Sequence, residues 1–307
     1  MTSRSGLVAI LVLAGAGWGV TQPLAKIAVS QGYQHFGLVF WQLAIGAVAL
    51  GVLTKLRGKT LPLGRPQLAF YLLIALIGTV FPNSASYQAI AHLPSGIVSI
   101  LLSLIPMLAF PVALALGLDQ FSPVRLGGLL FGLLGVVLLV APDTSLPDPA
   151  MLYWIPVALI APLFYAFEGN IVSKWGTHGL DAVQVLYGAS VVGTIIMLPV
   201  ALISGQWISP LPPYGAPDFA LLLSALIHAS VYTTYVWLVG RAGSVFAAQV
   251  SYLVTGFGVL WAILLLGESY AGPVWAAMGL MFVGLFLVQP RLNVALVPDS
   301  VSGKDAA

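Results

Sequence analysis

No cysteine occurs in the 307 residues, which removes disulfides, thiolate metal sites and cysteine nucleophiles and leaves the redox compartment open. Charge is scarce as well: Asp, Glu, Lys and Arg make up 7% of the chain, where a soluble protein carries about a quarter. So few charges cannot coat a surface facing water, and the surface is expected to face lipid. The net charge of +2 builds no field for nucleic acid. There is no GxxxxGKS or GxxxxGKT phosphate loop and no HExxH pair, and the acids are too scattered for a carboxylate metal site. ATP drive, a metal and a cofactor are therefore unsupported, and an intramembrane enzyme is not expected. Segments of about ten residues alternating apolar and polar are also missing, which excludes a transmembrane barrel.

What the chain has in abundance is apolar sequence, 60% of all residues, gathered into runs at roughly 6–28, 35–54, 67–91, 94–117, 123–141, 150–174, 181–204, 216–239, 243–266 and 272–290. Each is near the ~20 residues that a helix needs to cross a ~30 Å hydrocarbon core. Backbone hydrogen bonding in lipid then leaves helices. The fold class expected is an all-α integral membrane bundle of ten transmembrane helices joined by short loops. The first run follows a lone Arg4 as a secretory signal would, but it continues past Trp18 to Lys26 and is read as an uncleaved span. With the N-terminus cytoplasmic, ten of the eleven Lys and Arg residues fall on the cytoplasmic side and only Lys26 outside, so both termini are expected inside. Trp154, Trp175, Trp207, Tyr214 and Trp275 lie near span ends and read as interfacial anchors.

The stretch from Ala75 to Val124 recurs 150 residues later. Ala75, Leu76 and Ile77 fall on Ala225, Leu226 and Ile227; Leu114, Leu116, Gly117, Pro123 and Val124 fall on Leu264, Leu266, Gly267, Pro273 and Val274. Two homologous halves are expected, 5–141 and 150–290, followed by a disordered cytoplasmic tail over 291–307. Five spans per half is an odd number, so the halves cross the membrane in opposite senses. Inverted repeats of this kind allow a central site near the bilayer midplane to open to either side, as in many secondary transporters. A passive channel would need a continuous polar pore, and the polar positions here are isolated.

Several short motifs, in this order and spacing, carry a family resemblance. Trp18-Gly19 is followed by Lys26; Leu93-Pro94-Ser95-Gly96 opens the fourth span; Ile105-Pro106 lies within it; Leu266-Gly267-Glu268 follows the ninth. Over residues 5 to 290 the chain resembles the drug/metabolite transporter superfamily, specifically its ten-helix EamA-type exporters, and among them bacterial exporters of aromatic amino acids. It departs from them in three places. Span two has Trp41-Gln42 where such proteins often carry an Arg. Gly117-Leu118-Asp119 stands opposite Gly267-Glu268, and Gly256 stands opposite Pro106. The resemblance implies a central cavity lined by spans one, three, four, six, eight and nine.

Those spans carry the candidate site residues. Trp18, Gln22 and Lys26 share a helical face, and Asn170 with Lys174 repeats the amide-to-lysine spacing in the second half. Lys26 and Lys174 either snorkel as helix-end anchors or take turns with an anionic group at two gates. His228, Tyr232 and Tyr235 share a face of span eight and offer an aromatic pocket or plain helix packing. Asn83 and Tyr87 share a face of span three, next to Pro82, which either frees a carbonyl or kinks the helix. Ser99 with Ser95 and Ser103 on span four suits close helix packing as readily as a site, while its counterpart Gln249, with Tyr252 one turn on, is costlier to bury. Glu168, three residues after Tyr165, is the one carboxylate well inside a predicted span. At ~2.5 to 3.5 kcal/mol for a central charge it needs a partner, a proton or hydration, and it is a candidate for proton coupling.

Together these readings predict a multi-pass protein of the bacterial inner membrane, a monomer in the lipid bilayer, that exports a small molecule. An amino acid is the expected substrate. Aromatic ones are favoured because the resemblance points to them and because Trp, Tyr and amides offer stacking and orienting hydrogen bonds. The alternative on the same fold is efflux of lipophilic cations, drugs or other metabolites.

Overall fold

A computed structural model describes residues 4–140, 146–242, 246, 247 and 249–288. The expected tail, 291–307, and the first residues of the ninth apolar run lie outside the described residues. Every regular element described is helical: α1 (Arg4–Ser30), α2 (His35–Leu56), α3 (Arg65–Ala75), α4 (Phe81–His92), α5 (Ser95–Leu102), α6 (Ile105–Ala115), α7 (Pro123–Val140), α8 (Ile155–Trp175), α9 (Ala182–Ile203), α10 (Ala216–Ala242), α11 (Val250–Leu266) and α12 (Gly272–Val288).

Two of the apolar runs are interrupted where the sequence removes a backbone donor. Between α3 and α4 lies one turn of π-helix, Leu76–Val80, just ahead of Pro82, which has no N–H for the Gly78 carbonyl four residues back. The fourth run is split into α5 and α6 at Ser103 and Leu104, ahead of Pro106. A 3₁₀ segment, Pro149–Trp154, leads into α8. Asp181 and Gln184 form a reciprocal capping box at the start of α9, and Gly267, at φ 66°, closes α11 in the left-handed conformation that glycine adopts without a Cβ penalty.

Among the described residues eight helical stretches are long and apolar enough to cross a membrane; α11 and α12 are apolar but have 17 described residues each. Large apolar side chains such as Leu13, Val48, Leu134, Ile195 and Phe286 point outward and are exposed, as befits a surface solvated by lipid tails. The interior is held by Leu38, Leu43, Leu101, Leu104, Met107, Leu139 and Met281, all buried. Packing between helices comes in pairs: α1 lies against α10 and α11, α8 against α4 and the α5–α6 pair, α2 against α9 and α10, α3 against α9, α5 against α11, and α7 along α12. Lipid offers no hydrophobic drive for such contacts, so small residues allow the close approach that dispersion needs. A Cβ on Gly19 of α1 would stand 2.8 Å from the backbone nitrogen of Gly258 in α11.

Polar contacts cluster at the two ends of the bundle. One end carries the α1–α2 and α4–α5 turns, where the Tyr33 hydroxyl donates to Asp218 (2.6 Å) and the Trp41 indole donates to the Ile208 carbonyl (3.0 Å). The opposite end carries the α2–α3 and α8–α9 turns, where Arg57 and Lys59 pair with Asp181 at 3.1 and 2.6 Å.

Candidate functional site

Between the ends the helices enclose a cavity of about 320 Å³. Nine of the sequence-derived candidates line it: Trp18 and Gln22 from α1, Asn83 and Tyr87 from α4, Tyr165 and Glu168 from α8, and His228, Tyr232 and Tyr235 from α10. Helical spacing explains the grouping, since i, i+3, i+4 and i+7 positions share a face. The aromatic wall is continuous across helices: the Trp18 ring lies 5.4 Å from that of Tyr235 and 6.3 Å from that of His228.

A hydrogen-bonded chain crosses the cavity through a residue noted in the sequence only as a family departure. Gln42 on α2 accepts at Oε1 from the Tyr87 hydroxyl (2.8 Å) and from Asn83 Nδ2 (3.0 Å), and Asn83 Oδ1 in turn accepts from the Tyr165 hydroxyl (2.6 Å). The signal available was the one that singled out Gln249: an amide in mid-span is costly unless it is bonded.

Glu168 is positioned by the irregular backbone opposite. Its carboxylate lies against Gly78 in the π turn, where a Cβ would stand 2.5 Å from Oε1. Among the described residues it has no hydrogen-bond or ion-pair partner. Among the described residues no lysine or arginine lines the cavity, and Glu168 is its one carboxylate, with His228 also in the lining.

The remaining candidates lie elsewhere. Ser99 is buried between helices, its hydroxyl donating to the Ser95 carbonyl (3.1 Å) and its side chain filling the space beside Gly258. Gln249 is exposed just before α11, and Tyr252 packs on Phe282, ring centroids 5.8 Å apart. The face of α11 that lines the cavity is Val250, Ser251, Val254 and Thr255. Lys26 and Lys174 both reach carbonyls at the ends of other helices. Lys26 donates to Ile90 (2.7 Å), Leu93 (3.0 Å) and Ala91 (3.4 Å) at the end of α4, and Lys174 donates to Leu116 (2.9 Å) just past α6.

Glu268 completes the Lys26 end. It accepts at Oε1 from the backbone N–H and hydroxyl of Ser95, each at 2.8 Å, at Oε2 from the Gly96 N–H (3.2 Å), and also from the Tyr270 hydroxyl. A carboxylate on the first N–H groups of α5 and an ammonium on the last carbonyls of α4 each oppose a helix-dipole charge. They clamp the turn between the two helices, and the cavity lining reaches no further toward it than Ala25 and Ile90. At the other end the lining includes Leu186 of α9 and Ser251 of α11.

Outside the spans, burial, aided by the bond to Glu268, raises the Tyr270 phenol above its ordinary range. Burial opposes ionisation of Asp181, but hydrogen bonds from Lys59, the Gln184 N–H and Arg57 outweigh it and hold the carboxyl down at about 2.

The comparisons with known proteins agree with this architecture. The sequence profile of the EamA-like transporter family matches residues 5–141 and 152–289. The chain belongs to that family. It is 24% identical over 281 residues to the uncharacterized inner membrane transporter YedA of Escherichia coli strain K12, covering 88% of this chain and 86% of YedA, with the same identity to YedA of strain O157:H7. A protein of known crystal structure, 18% identical, shares the fold with a TM-score of 0.63 over 93% of this chain and 96% of its own. The protein is thus a multi-pass inner membrane transporter, and a small-molecule substrate follows from the family.

Proposed function

We propose that the chain exports amino acids, aromatic ones favoured, across the bacterial inner membrane by alternating access of two inverted five-span halves, 5–141 and 150–290, with both termini cytoplasmic. One observation carries the substrate reading: a cavity walled by Trp18, Tyr87, Tyr165, Tyr232 and Tyr235 also holds a single unpartnered carboxylate, Glu168. Such a wall suits an aromatic side chain, and the carboxylate suits a protonated amine. The packing supports the repeat. Advancing each helical run by five positions turns the contact of α1 with α10 into that of α8 with the α3–α4 run, and the contact of α2 with α10 into that of α9 with the same run. The clamp of Lys26 and Glu268 is the closed gate in this reading, and Glu168 is the candidate for proton coupling, shared between a proton and the substrate amine. Lys174 lies near the second gate.

A second reading, efflux of lipophilic cations, is favoured by a cavity lining that holds Glu168 and, among the described residues, no lysine or arginine. Uptake of labelled tryptophan into sealed proteoliposomes, with and without an imposed proton gradient, separates the two. Saturable uptake that is competed by phenylalanine, and poorly by alanine, threonine or a lipophilic cation, is expected. Competition by the lipophilic cation alone would move the assignment to cation efflux. A response to the gradient that disappears in Glu168→Gln is the expected mark of coupling at that residue.

A further inference from the structure

We infer that Gln42 is the specificity-determining residue of the cavity, presenting its amide N–H groups to the carboxylate of a substrate whose ammonium group pairs with Glu168. The inference rests on the reading of the cavity as an amino-acid site and adds an orientation and a chemical discriminator to it.

An amide oxygen has two lone pairs, and those of Gln42 Oε1 are both taken, by the Tyr87 hydroxyl at 2.8 Å and by Asn83 Nδ2 at 3.0 Å. The Asn83 amide is itself fixed by the Tyr165 hydroxyl on its oxygen, at 2.6 Å. Gln42 lines the cavity, its oxygen is held from two sides, and its amide nitrogen has no hydrogen-bond partner among the described residues. Trp18 adds a second unsatisfied donor: its indole nitrogen is buried without a partner. Two residues with donors that lack acceptors thus line the same cavity as Glu168, an acceptor group that lacks a donor. Unpaired polar groups in such a place are costly, and a ligand that supplies the missing partners relieves the cost.

The lining also selects a ligand. The Glu168 carboxylate lies against Gly78 and Gln42 is bonded to Asn83, so an acceptor without a donor and an amide with a free nitrogen border one cavity along the α3–α4 run. An ammonium and a carboxylate on the same carbon answer both, and the aromatic wall receives the side chain. An amine without a carboxylate leaves Gln42 and Trp18 unpaired; a carboxylate without an amine leaves Glu168 unpaired.

The test uses the full chain in proteoliposomes, with uptake of labelled tryptophan competed by tryptophan, tryptamine and indole-3-propionate at neutral pH. In the unsubstituted protein tryptophan is expected to compete at least about tenfold better than either analogue, the scale on which a site built around hydrogen bonds rejects a ligand lacking one group. Gln42→Glu keeps an acceptor for Tyr87 and Asn83 but turns the donor end into a second carboxylate. The tryptophan-to-tryptamine preference is then expected to fall by at least about tenfold. A preference unchanged in Gln42→Glu overturns the role of Gln42. Should that variant not fold, the unsubstituted protein still decides: tryptamine competing as well as tryptophan overturns the carboxylate contact, and indole-3-propionate doing so overturns the ammonium contact. No tryptophan uptake at all in the unsubstituted protein sinks the amino-acid reading itself, and this inference with it.

Discussion

At one end of the bundle Lys26 spans three carbonyls of the α4 terminus while Glu268 takes the first N–H groups of α5. At the other end Lys174 meets the single carbonyl of Leu116 and leans over the Trp175 ring at 5.8 Å, and Asp119 pairs with its near neighbour Arg125. The residue types correspond, one lysine and one acid per half, yet their surroundings do not. The Lys26 contacts to Ile90 and Leu93 are partly buried and join distant parts of the chain, whereas that of Lys174 is exposed and the Asp119–Arg125 pair spans six residues. Equal formal charges therefore count unequally. A charge on a helix terminus, shielded from water and bound by several groups, contributes far more than an exposed pair.

The sharpest way to break this asymmetry is Glu268→Ala. It uncaps α5 and frees three donors of Ser95 and Gly96, and a loss of about 2 kcal/mol is expected for a charged cap of this kind. Asp119→Ala, its matched control, should cost less than about 0.5 kcal/mol. Thermal unfolding in detergent compares the two. The cysteine-free background adds a conformational readout: a thiol introduced by Ala25→Cys, just beneath the clamp, should react slowly with a membrane-impermeant reagent added from the clamped side and faster once Glu268→Ala is added. Equal labelling in both would mean that the clamp does not close this end.

Next in size is Lys26→Met, which retains the aliphatic stem and removes the ammonium from the α4 carbonyls. About 1 kcal/mol is expected, against no more than about 0.3 kcal/mol for Lys174→Met. Were the two lysines to prove equivalent, burial would not be what separates the ends.

These contrasts also mark how far the sequence could be read. Apolar runs and their lengths foretold the helices, because hydrogen bonding in lipid leaves few alternatives. Helical spacing brought Trp18, Gln22, Tyr165 and Glu168 to one cavity. Which face of α11 points inward was not legible: Ser251 and Thr255 line the cavity, while Tyr252 turns toward Phe282, and a uniformly apolar helix gives no amphipathic cue. Nor could the sequence show that Lys26 and Glu268 would meet consecutive helix ends, since such contacts depend on which termini the fold brings together. The π turn that seats Glu168 was foreshadowed only by Pro82.

The opposite end also holds Asp181, whose charge can be isolated from its cap. Asp181→Asn keeps a side-chain oxygen for the Gln184 N–H, as asparagine caps helices about as well as aspartate, but removes the charge that Arg57 and Lys59 share. The Asp181 carboxyl is held at about 2, below its ordinary 3.8. A depressed carboxylate stabilises the fold fully above the ordinary value and loses that contribution as pH falls through the depressed one. The variant's melting deficit should therefore be constant from pH 7 to pH 5, shrink between about 4 and 2, and vanish below. Both basic partners are partly exposed, at 35% and 45%, so solvent screens the pair, and the deficit should also shrink when salt shortens the Debye length from ~10 Å at 0.1 M to ~3 Å at 1 M. Salt insensitivity would point to the cap instead of the charge, and this end would then be held by the same helix-terminal chemistry as the clamp.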